Sequence, residues 1–221
     1  MAGLDPPTLD VVVFGATGNI GSAIASELVA RGHRVTGVSR HGTDRGALPG
    51  AVQLRSGDAT DPEAVAVLAR GADAVVSAIG PGRGIDEAPP FTAAAEGLIG
   101  GLRRAGTRRL VVVGGAGSLE VAPGLQAVDA PDFPEASRPQ ALAQRDALEV
   151  YRTVEDLDWT YVSPAAAIGP GPHTRDYQIG HHQMLYDEHG VSRISYGDFA
   201  DGVVDCVEQG THRREQITLA D

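Results

Sequence analysis

The sequence is poor in cysteine, aromatic residues and basic charge, and each shortage excludes a class of protein. Cys206 is the only cysteine among 221 residues, so no disulfide can form within one chain. Aromatic residues make up only 5% of the chain, so Val, Ala, Leu and Gly must fill the core. That composition suits parallel strands covered by helices. The formal net charge of −11 gives a surface that repels the phosphates of nucleic acids.

Long apolar segments are also missing. No apolar run approaches the roughly 20 residues that span a bilayer, and residues 1–10 carry neither the basic nor the apolar part of a signal peptide. We therefore expect a cytoplasmic protein that binds neither membranes nor nucleic acid and acts on a small molecule. A chain of 221 residues is long enough for one domain with a buried core. The sequence leaves open whether that domain is a monomer or a homodimer.

Short apolar runs alternate with helical patterns along the chain. Strands are predicted at residues 10–14, 34–39, 52–54, 74–79, 109–113, 159–162 and 216–219, and helices at 19–31, from 61 through 68, 91–105, 138–157 and 198–209. This order predicts an α/β fold, a doubly wound and mainly parallel sheet in a single domain over residues 1–221. Most of the runs are apolar throughout, which is typical of strands buried on both faces.

Residues 118–137 and 163–194 break this rhythm. The first segment contains three prolines, and the second is rich in glycine and proline and holds four of the seven histidines. Long irregular segments in a compact domain are usually functional loops. Both follow the carboxyl ends of predicted strands, where open α/β sheets bind their ligands. We therefore expect the substrate to lie between these two segments.

A glycine motif joins the first predicted strand to the first predicted helix. Its spacing, G-x-x-G-x-x-G between a strand and a helix, is typical of a dinucleotide-binding loop. One glycine permits the tight turn, one lets a pyrophosphate approach the backbone, and one lets the helix pack on the strand. Amides at the helix N-terminus favour an anion. The alternative is a plain tight turn. The residues expected to bind the dinucleotide are Gly15, Thr17, Gly18, Asn19, Ile20 and Gly21.

The end of the second predicted strand, Gly37-Val38-Ser39-Arg40, indicates which dinucleotide is bound. An acidic residue there would bind the ribose 2′-hydroxyl of NAD, whereas a basic residue pairs with the 2′-phosphate of NADP. Arg40 can pair with a phosphate through two N–H groups, and Ser39 can add its hydroxyl. We therefore expect NADP(H) to be preferred and NAD(H) to be possible. The alternative for Arg40 is a solvated arginine in a loop.

Residues after the other strands complete the predicted cofactor site. Small residues after the fourth and fifth strands would let the chain pass close to the cofactor, and those ending the sixth would flank the nicotinamide. Asp58, beside Ala59, is expected to accept a hydrogen bond from the adenine amino group. Alternatively, Asp58 caps the next helix, for which Asp61 is better placed. The remaining predicted cofactor residues are Ala78, Ile79, Gly80, Gly114, Gly115, Ser163, Pro164 and Ala165.

Over nearly its whole length the chain resembles the atypical short-chain dehydrogenase/reductases, in particular their NAD(P)H-dependent flavin reductases, and it is similar to biliverdin reductase B and the NmrA-like proteins. This resemblance implies a Rossmann fold that binds NAD(P) and an oxidoreductase activity. Ser118 falls near the family's active-site serine and is the candidate catalytic residue, unless it only caps a turn. The motifs that carry the resemblance are Gly15–Gly21, Arg40, Gly57-Asp58, Ala78-Ile79-Gly80, Gly114-Gly115-Ala116-Gly117-Ser118 and Trp159-Thr160-Tyr161-Val162-Ser163-Pro164.

The sequence departs from ordinary short-chain dehydrogenases at their Tyr-x-x-x-Lys pair. The matching positions hold Ala141 and Arg145, neither of which can relay a proton. Reduction of a carbonyl needs a positioned acid, whereas in flavin reduction the cofactor chemistry does most of the work. We therefore expect hydride to pass from NADPH to a flavin or quinone-like acceptor, with flavin as a substrate only. A non-catalytic redox sensor of the NmrA-like type and a biosynthetic reductase or isomerase are the alternatives.

The second irregular segment supplies the candidates for substrate contact, His181 and Tyr186. The alternative for the histidine is a surface loop position, since imidazole is at home in water. His181 and His182 are adjacent and cannot both face one point on regular backbone, so no metal site is expected. Nearer the C-terminus, Cys206 is predicted to be a buried thiol, and Asp198 is predicted to cap the last long helix.

Overall fold

A computed structural model describes residues 7–44, 46, 48–80 and 90–221. Residues 1–6, on which part of the signal-peptide prediction rests, therefore lie outside the described residues. The described residues form twelve strands and five α-helices. The strands are β1 Asp10–Phe14, β2 Arg34–Ser39, β3 Gln53–Ser56, β4 Ala74–Ser77, β5 Arg109–Val113, β6 Glu120–Ala122, β7 Leu125–Gln126, β8 Asp158–Pro164, β9 Ala167–Gly169, β10 Gln178–Gly180, β11 Arg193–Ser195 and β12 Glu215–Ala220. The helices are α1 Asn19–Ala30, α2 Pro62–Ala69, α3 Phe91–Ala105, α4 Arg138–Arg152 and α5 Tyr196–Gln209.

Eight of these strands form one sheet in the order β10-β12-β8-β5-β4-β1-β2-β3. Neighbouring strands are parallel except for β10, which runs antiparallel to β12 at one edge. The order reverses between β1 and β4, and at such a reversal an open α/β sheet binds its ligand beyond the carboxyl ends of the strands. This topology confirms the predicted doubly wound, mainly parallel fold.

The sheet separates two apolar cores. On one face α1 and α5 pack against the sheet, with Ile24, Leu28 and Phe199 fully buried. On the other face α2, α3 and α4 cover the sheet, and Leu98 and Leu148 are fully buried. Strands β4 and β5 are buried at every residue, including Ser77 and Arg109 at their ends, as is typical of parallel strands covered on both faces. Within the described residues, no helix combines the length and apolarity needed to cross a bilayer.

Helix α4 is shorter than predicted. The sequence pattern suggested a helix to Leu157, but the helix ends at Arg152. Val154 and Leu157 are still buried in the same core as α4, and the indole N–H of Trp159 donates to the Val154 carbonyl at 3.0 Å. Apolar residues therefore continue beyond the helix because the following turn packs into the same core. The spacing of apolar residues in the sequence does not distinguish this turn from a continued helix.

The cap of α5 also differs from the prediction. Ser195, rather than Asp198, is the N-cap residue, and its side chain accepts a hydrogen bond from the backbone N–H of Asp198. The carboxylate of Asp198 instead accepts hydrogen bonds from the backbone N–H groups of Thr174 and Arg175, at 2.8 and 2.6 Å. Asp198 thus holds residues 174–175 of the second irregular segment against the start of α5.

Cys206 is buried in α5, as predicted. Burial raises the pKa of its thiol to about 11. The thiol is therefore protonated at neutral pH, and the group acts as a small apolar residue of the core.

The two irregular segments pack on each other. The backbone N–H of Glu120 donates to the His182 carbonyl, and the N–H of Met184 donates to the Glu120 carbonyl, at 2.8 and 2.9 Å. Met184 is buried with Leu119 and Ala127 in a small apolar cluster of its own. These two hydrogen bonds and this cluster therefore join parts of the two segments, and substrate binding between the segments stays a prediction.

Candidate functional site

The glycine loop is built around two positions where any side chain would overlap the backbone. Gly15 has φ of 78°, in the left-handed region, and a Cβ atom there would overlap the carbonyl of Ala78. A Cβ atom at Gly21 would overlap the carbonyl of Gly15. The first glycine therefore lets the turn pass over the end of β4, and the third lets α1 pack against the turn.

Gly18 differs from both, because no contact within the described part of the chain requires a glycine there. Its φ of −79° and ψ of 169° suit any residue, and the one described atom that a Cβ there would meet within 4 Å is the Gly15 carbonyl oxygen, at 3.4 Å. Helix α1 starts at the next residue without a side-chain cap. The amides of its first turn have no acceptor within the helix, so Gly18 borders open space beside a helix N-terminus that favours an anion.

The end of β2 is bonded to this loop. The carbonyl of Val38 accepts hydrogen bonds from the backbone N–H groups of Gly15 and Ala16, at 2.9 and 3.3 Å. Ser39 follows directly, and its buried hydroxyl has no hydrogen-bond partner among the described residues. The side chain of Arg40 is exposed, while its carbonyl accepts a hydrogen bond from the Ser56 hydroxyl at 2.9 Å. Two successive residues after the Val38 carbonyl therefore carry a buried hydroxyl without a partner in the described part of the chain and an exposed arginine side chain.

Asp61, and not Asp58, caps helix α2, which the sequence left open. The carboxylate of Asp61 accepts a hydrogen bond from the backbone N–H of Glu63 and caps α2. The carboxylate of Asp58 accepts from both the backbone N–H and the hydroxyl of Thr60, each at 2.9 Å. Asp58 is exposed and one of its oxygens is engaged in this turn, whereas the methyl group of Ala59 is buried in the core.

The glycines after β5 are required by packing within the protein. A Cβ atom at Gly114 would overlap the ring of Tyr161, and one at Gly115 would overlap the side-chain amide of Gln144. The Tyr161 hydroxyl donates to the Gln144 carbonyl at 3.0 Å, and burial raises the pKa of that tyrosine. Space for Tyr161 and Gln144 therefore accounts for these two glycines without a cofactor. At Gly80, after β4, an added Cβ atom would meet none of the described residues within 4 Å.

Ser118 is buried in a polar network below the carboxyl end of β5. Its hydroxyl donates to the Gly115 carbonyl at 3.2 Å and accepts a hydrogen bond from the Gln216 side-chain amide at 2.9 Å. The same amide donates to the Ser163 hydroxyl at 3.2 Å. Because the Ser118 proton is directed to a backbone carbonyl, this geometry favours the turn-capping alternative over a catalytic serine. Ser163, Pro164 and Ala165 are also buried, and their contact with the nicotinamide stays a prediction.

The positions compared with the Tyr-x-x-x-Lys pair lie on α4, close to the loop after β5. Ala141 is buried, and its methyl group would meet a Cβ atom at Gly117 at 2.7 Å. The guanidinium of Arg145 forms an ion pair with Asp129 at 3.0 Å. A tyrosine in place of Ala141 would therefore need this loop to move, and Arg145 is held on the first irregular segment.

The structure places His181 away from the glycine loop. Its Nδ1 atom lies 2.6 Å from a carboxylate oxygen of Glu215, the first residue of β12, at the end of the sheet opposite the carboxyl ends. Strand β10 carries His181 there by pairing antiparallel with β12. Tyr186 is about half exposed, at 48%. Substrate contact by either residue stays a prediction.

One residue next to the glycine loop was not predicted from the sequence. Tyr196, the first residue of α5, places its hydroxyl oxygen 3.3 Å from the side-chain amide nitrogen of Asn19, which donates to it. The two residues are 177 positions apart, and no local pattern relates them. The motif Ser195-x-x-Asp198 does mark the start of a helix here, and it could have located Tyr196 on the first turn of α5.

Among the described residues, Glu27, His173 and Asp201 form the one group with metal-ligand geometry, their ligand atoms lying within 4.8 Å of one another. Two arginines share these carboxylates: Arg31 and Arg175 approach an Asp201 oxygen at 2.7 and 3.0 Å. Burial opposes ionisation of Asp201, but a hydrogen bond from a tyrosine hydroxyl and the two guanidinium charges outweigh it, so its pKa is below the usual value. The group is an ion-pair network that ties α1 to α5.

Comparison with known proteins agrees with this geometry. Residues 15–210 match the family described as NAD(P)H-binding. The chain belongs to this family. It is 33% identical to the protein YwnB of Bacillus subtilis over 214 residues, which is 96% of this chain and 98% of that protein.

Solved structures of relatives have the same fold along the whole chain. A protein from Burkholderia pseudomallei, named provisionally as exported, is 47% identical with a TM-score of 0.87, covering 97% of this chain and 100% of the other. A protein from Streptococcus pneumoniae, named provisionally as an NADH-flavin reductase, is 36% identical with a TM-score of 0.81, covering 96% and 99%. These matches confirm the Rossmann fold and the resemblance to the atypical short-chain dehydrogenase/reductases. The cytoplasmic location stays a prediction.

Proposed function

We propose that this protein is an NADP(H)-dependent oxidoreductase that passes hydride to a flavin or quinone-like acceptor. The observation that carries the proposal is the glycine loop, in which packing accounts for Gly15 and Gly21, whereas no contact of the described residues requires Gly18 to be glycine and a pyrophosphate close to its backbone would. A pyrophosphate over Gly18 would occupy the open space at the N-terminus of α1. The relative from S. pneumoniae, with its provisional name of NADH-flavin reductase, points to the same chemistry.

The preference for NADP(H) rests on the two side chains at the end of β2. Ser39 has an unsatisfied buried hydroxyl and Arg40 an exposed guanidinium, which is the donor set that a 2′-phosphate requires. A buried hydroxyl without a partner is unfavourable, so a phosphate oxygen that accepted its proton would stabilise the bound state. NAD(H), which has a hydroxyl in place of the phosphate, would gain less from Arg40.

The choice of acceptor rests on the residues that stand where ordinary short-chain dehydrogenases carry their catalytic serine and their Tyr-x-x-x-Lys pair. Ser118 directs its proton to the Gly115 carbonyl, and Ala141 has no ionisable group. When bound, the nicotinamide would supply hydride, and an acceptor such as a flavin needs chiefly alignment and exclusion of water. The chain's part is then to hold the dinucleotide on α1 and leave the carboxyl end of β5 open to the acceptor.

The same observation favours a second candidate, a dinucleotide-binding redox sensor without catalysis. A sensor needs the glycine loop and the residues after β2, and it needs no proton donor. Binding therefore does not distinguish the two functions, whereas turnover does.

The test is calorimetric titration of NADPH and NADH into the purified protein, followed by absorbance of the nicotinamide band after addition of FMN or a quinone. We expect tighter binding of NADPH than of NADH, and decay of the absorbance that depends on acceptor. Tight binding without decay with any flavin or quinone would overturn the reductase and favour the sensor. Failure to bind either dinucleotide would overturn both.

A further inference from the structure

We infer that the hydroxyl of Tyr196 is a cofactor-binding group that donates a hydrogen bond to the nicotinamide-side phosphate. This inference deepens the proposed function and rests on it. Its starting point is the contact between Tyr196 and Asn19, 3.3 Å long. Asn19 follows Gly18 and begins α1, so the tyrosine hydroxyl stands at the rim of the space that Gly18 leaves open.

The direction of that contact leaves the tyrosine proton available. The side-chain amide of Asn19 donates, and the Tyr196 oxygen accepts. A tyrosine hydroxyl can accept and donate at the same time, so its proton can point to an anion beside α1. Tyr196 is only partly buried, as expected for a side chain at the edge of a ligand cleft. A phosphate oxygen is the acceptor that makes such a bond strongest.

The backbone that carries Tyr196 is held firmly in place. Ser195 caps α5 by accepting from the Asp198 N–H, and the Ser195 hydroxyl donates to the Asp198 carboxylate, both at 2.9 Å. The same carboxylate accepts from the N–H groups of Thr174 and Arg175. Along the helix pair, Arg31 of α1 bonds to Asp205 of α5 at 2.6 Å. The hydroxyl is therefore preorganised and loses little entropy on binding.

The sheet order assigns Tyr196 to the nicotinamide half of the cofactor. The adenosine half is expected at β2, where Ser39 and Arg40 lie, on one side of β1. Tyr196 follows β11, which pairs with β9, and β9 begins shortly after the carboxyl end of β8. Strand β8 lies on the other side of β1 from β2. Tyr196 thus approaches the loop from the nicotinamide side, opposite to Arg40.

The experiment compares two ligands on two variants by calorimetry. One ligand is NADPH, and the other is adenosine 2′,5′-bisphosphate, which lacks the nicotinamide-side phosphate. Tyr196→Phe removes only the hydroxyl, and Tyr177→Phe is the matched control, on a tyrosine whose hydroxyl bonds to the carboxylates of Asp201 and Asp205. We expect Tyr196→Phe to weaken NADPH binding on the order of tenfold, the effect of one hydrogen bond to a charged group. Binding of the bisphosphate should change by less than about twofold, and the control should change neither.

Each result decides the inference. Unchanged NADPH affinity in Tyr196→Phe would overturn it. Equal weakening of both ligands would also overturn it, because damage to the fold near α1 would not spare the fragment. If the unaltered protein bound neither NADPH nor NADH, the proposed function would fail and this inference with it. If the unaltered protein bound NADPH and Tyr196→Phe bound it equally well, the proposed function would stand and only the inference would fail.

Discussion

Replacing Gly18 by valine should remove dinucleotide binding while leaving the fold intact. The backbone angles of Gly18 suit any residue, and among the residues that the structure describes the valine Cβ atom would meet only the Gly15 carbonyl oxygen, at 3.4 Å. Valine is a poorer N-cap than glycine, and we expect a loss of about 1 kcal/mol in the free energy of unfolding. For a domain of this size, that loss lowers Tm by about 2–4 °C.

The loss of binding should be far larger than the loss of stability. Valine methyl groups would occupy the space of the pyrophosphate and separate it from the first-turn amides of α1. Losing two hydrogen bonds to a charged group amounts to about 3–6 kcal/mol, which is a decrease in affinity of at least about 100-fold. Calorimetry with NADPH measures the affinity, and thermal unfolding measures Tm on the same sample.

Gly21→Ala is the matched comparison, since its methyl group would overlap the Gly15 carbonyl. Overpacking of this kind destabilises by about 1–3 kcal/mol, so this variant should lose Tm together with affinity. A folded Gly18→Val protein that binds NADPH with unaltered affinity would refute the assignment of the loop.

Three further variants test separate parts of the account. Arg40→Ala should weaken NADPH binding by about 1–3 kcal/mol and leave NADH nearly unchanged in calorimetry; equal losses would contradict the role given to the guanidinium. Ser118→Ala should lower the free energy of unfolding by about 1–3 kcal/mol, because the buried Gln216 amide loses an acceptor, yet keep the rate of NADPH oxidation; loss of turnover in a stable variant would restore a catalytic serine. Asp201 has a pKa below its usual 3.8 in the folded protein, so Asp201→Asn should destabilise most near neutral pH. That difference in the free energy of unfolding should shrink as pH falls below about 3.8, where the unfolded carboxyl is protonated first; a difference that grew in acid would have the wrong sign.

The strands and helices were predicted well because the sequence patterns that indicate them lie within short stretches of the chain. Strands β1, β2 and β5 and helix α3 have the predicted ends, since each is an apolar or periodic run bounded by glycine, proline or charge. The glycine loop was predicted for the same reason: spacing, strand and helix lie within a few residues of one another. Gly15 and Gly21 have the turn and packing roles that the motif implies, and the approach of a pyrophosphate to Gly18 stays a prediction.

What the sequence did not predict depends on contacts between distant residues. The pairing of β10 with β12, which carries His181 to Glu215, joins segments with no shared local pattern. The networks of Ser118 with Gln216 and of Asn19 with Tyr196 span 98 and 177 positions. The packing of the Tyr161 ring against Gly114 was not predicted either, because Tyr161 lies on β8 and Gly114 follows β5.

The central claim is that the glycine loop and the end of β2 hold NADP(H), and a crystal structure of the protein with NADP⁺ tests it most directly. We predict the pyrophosphate over Gly18 at the N-terminus of α1, and the 2′-phosphate within hydrogen-bonding distance of the Ser39 hydroxyl and the Arg40 guanidinium. A dinucleotide bound elsewhere, or one whose ribose 2′-position faces away from both side chains, would contradict the account.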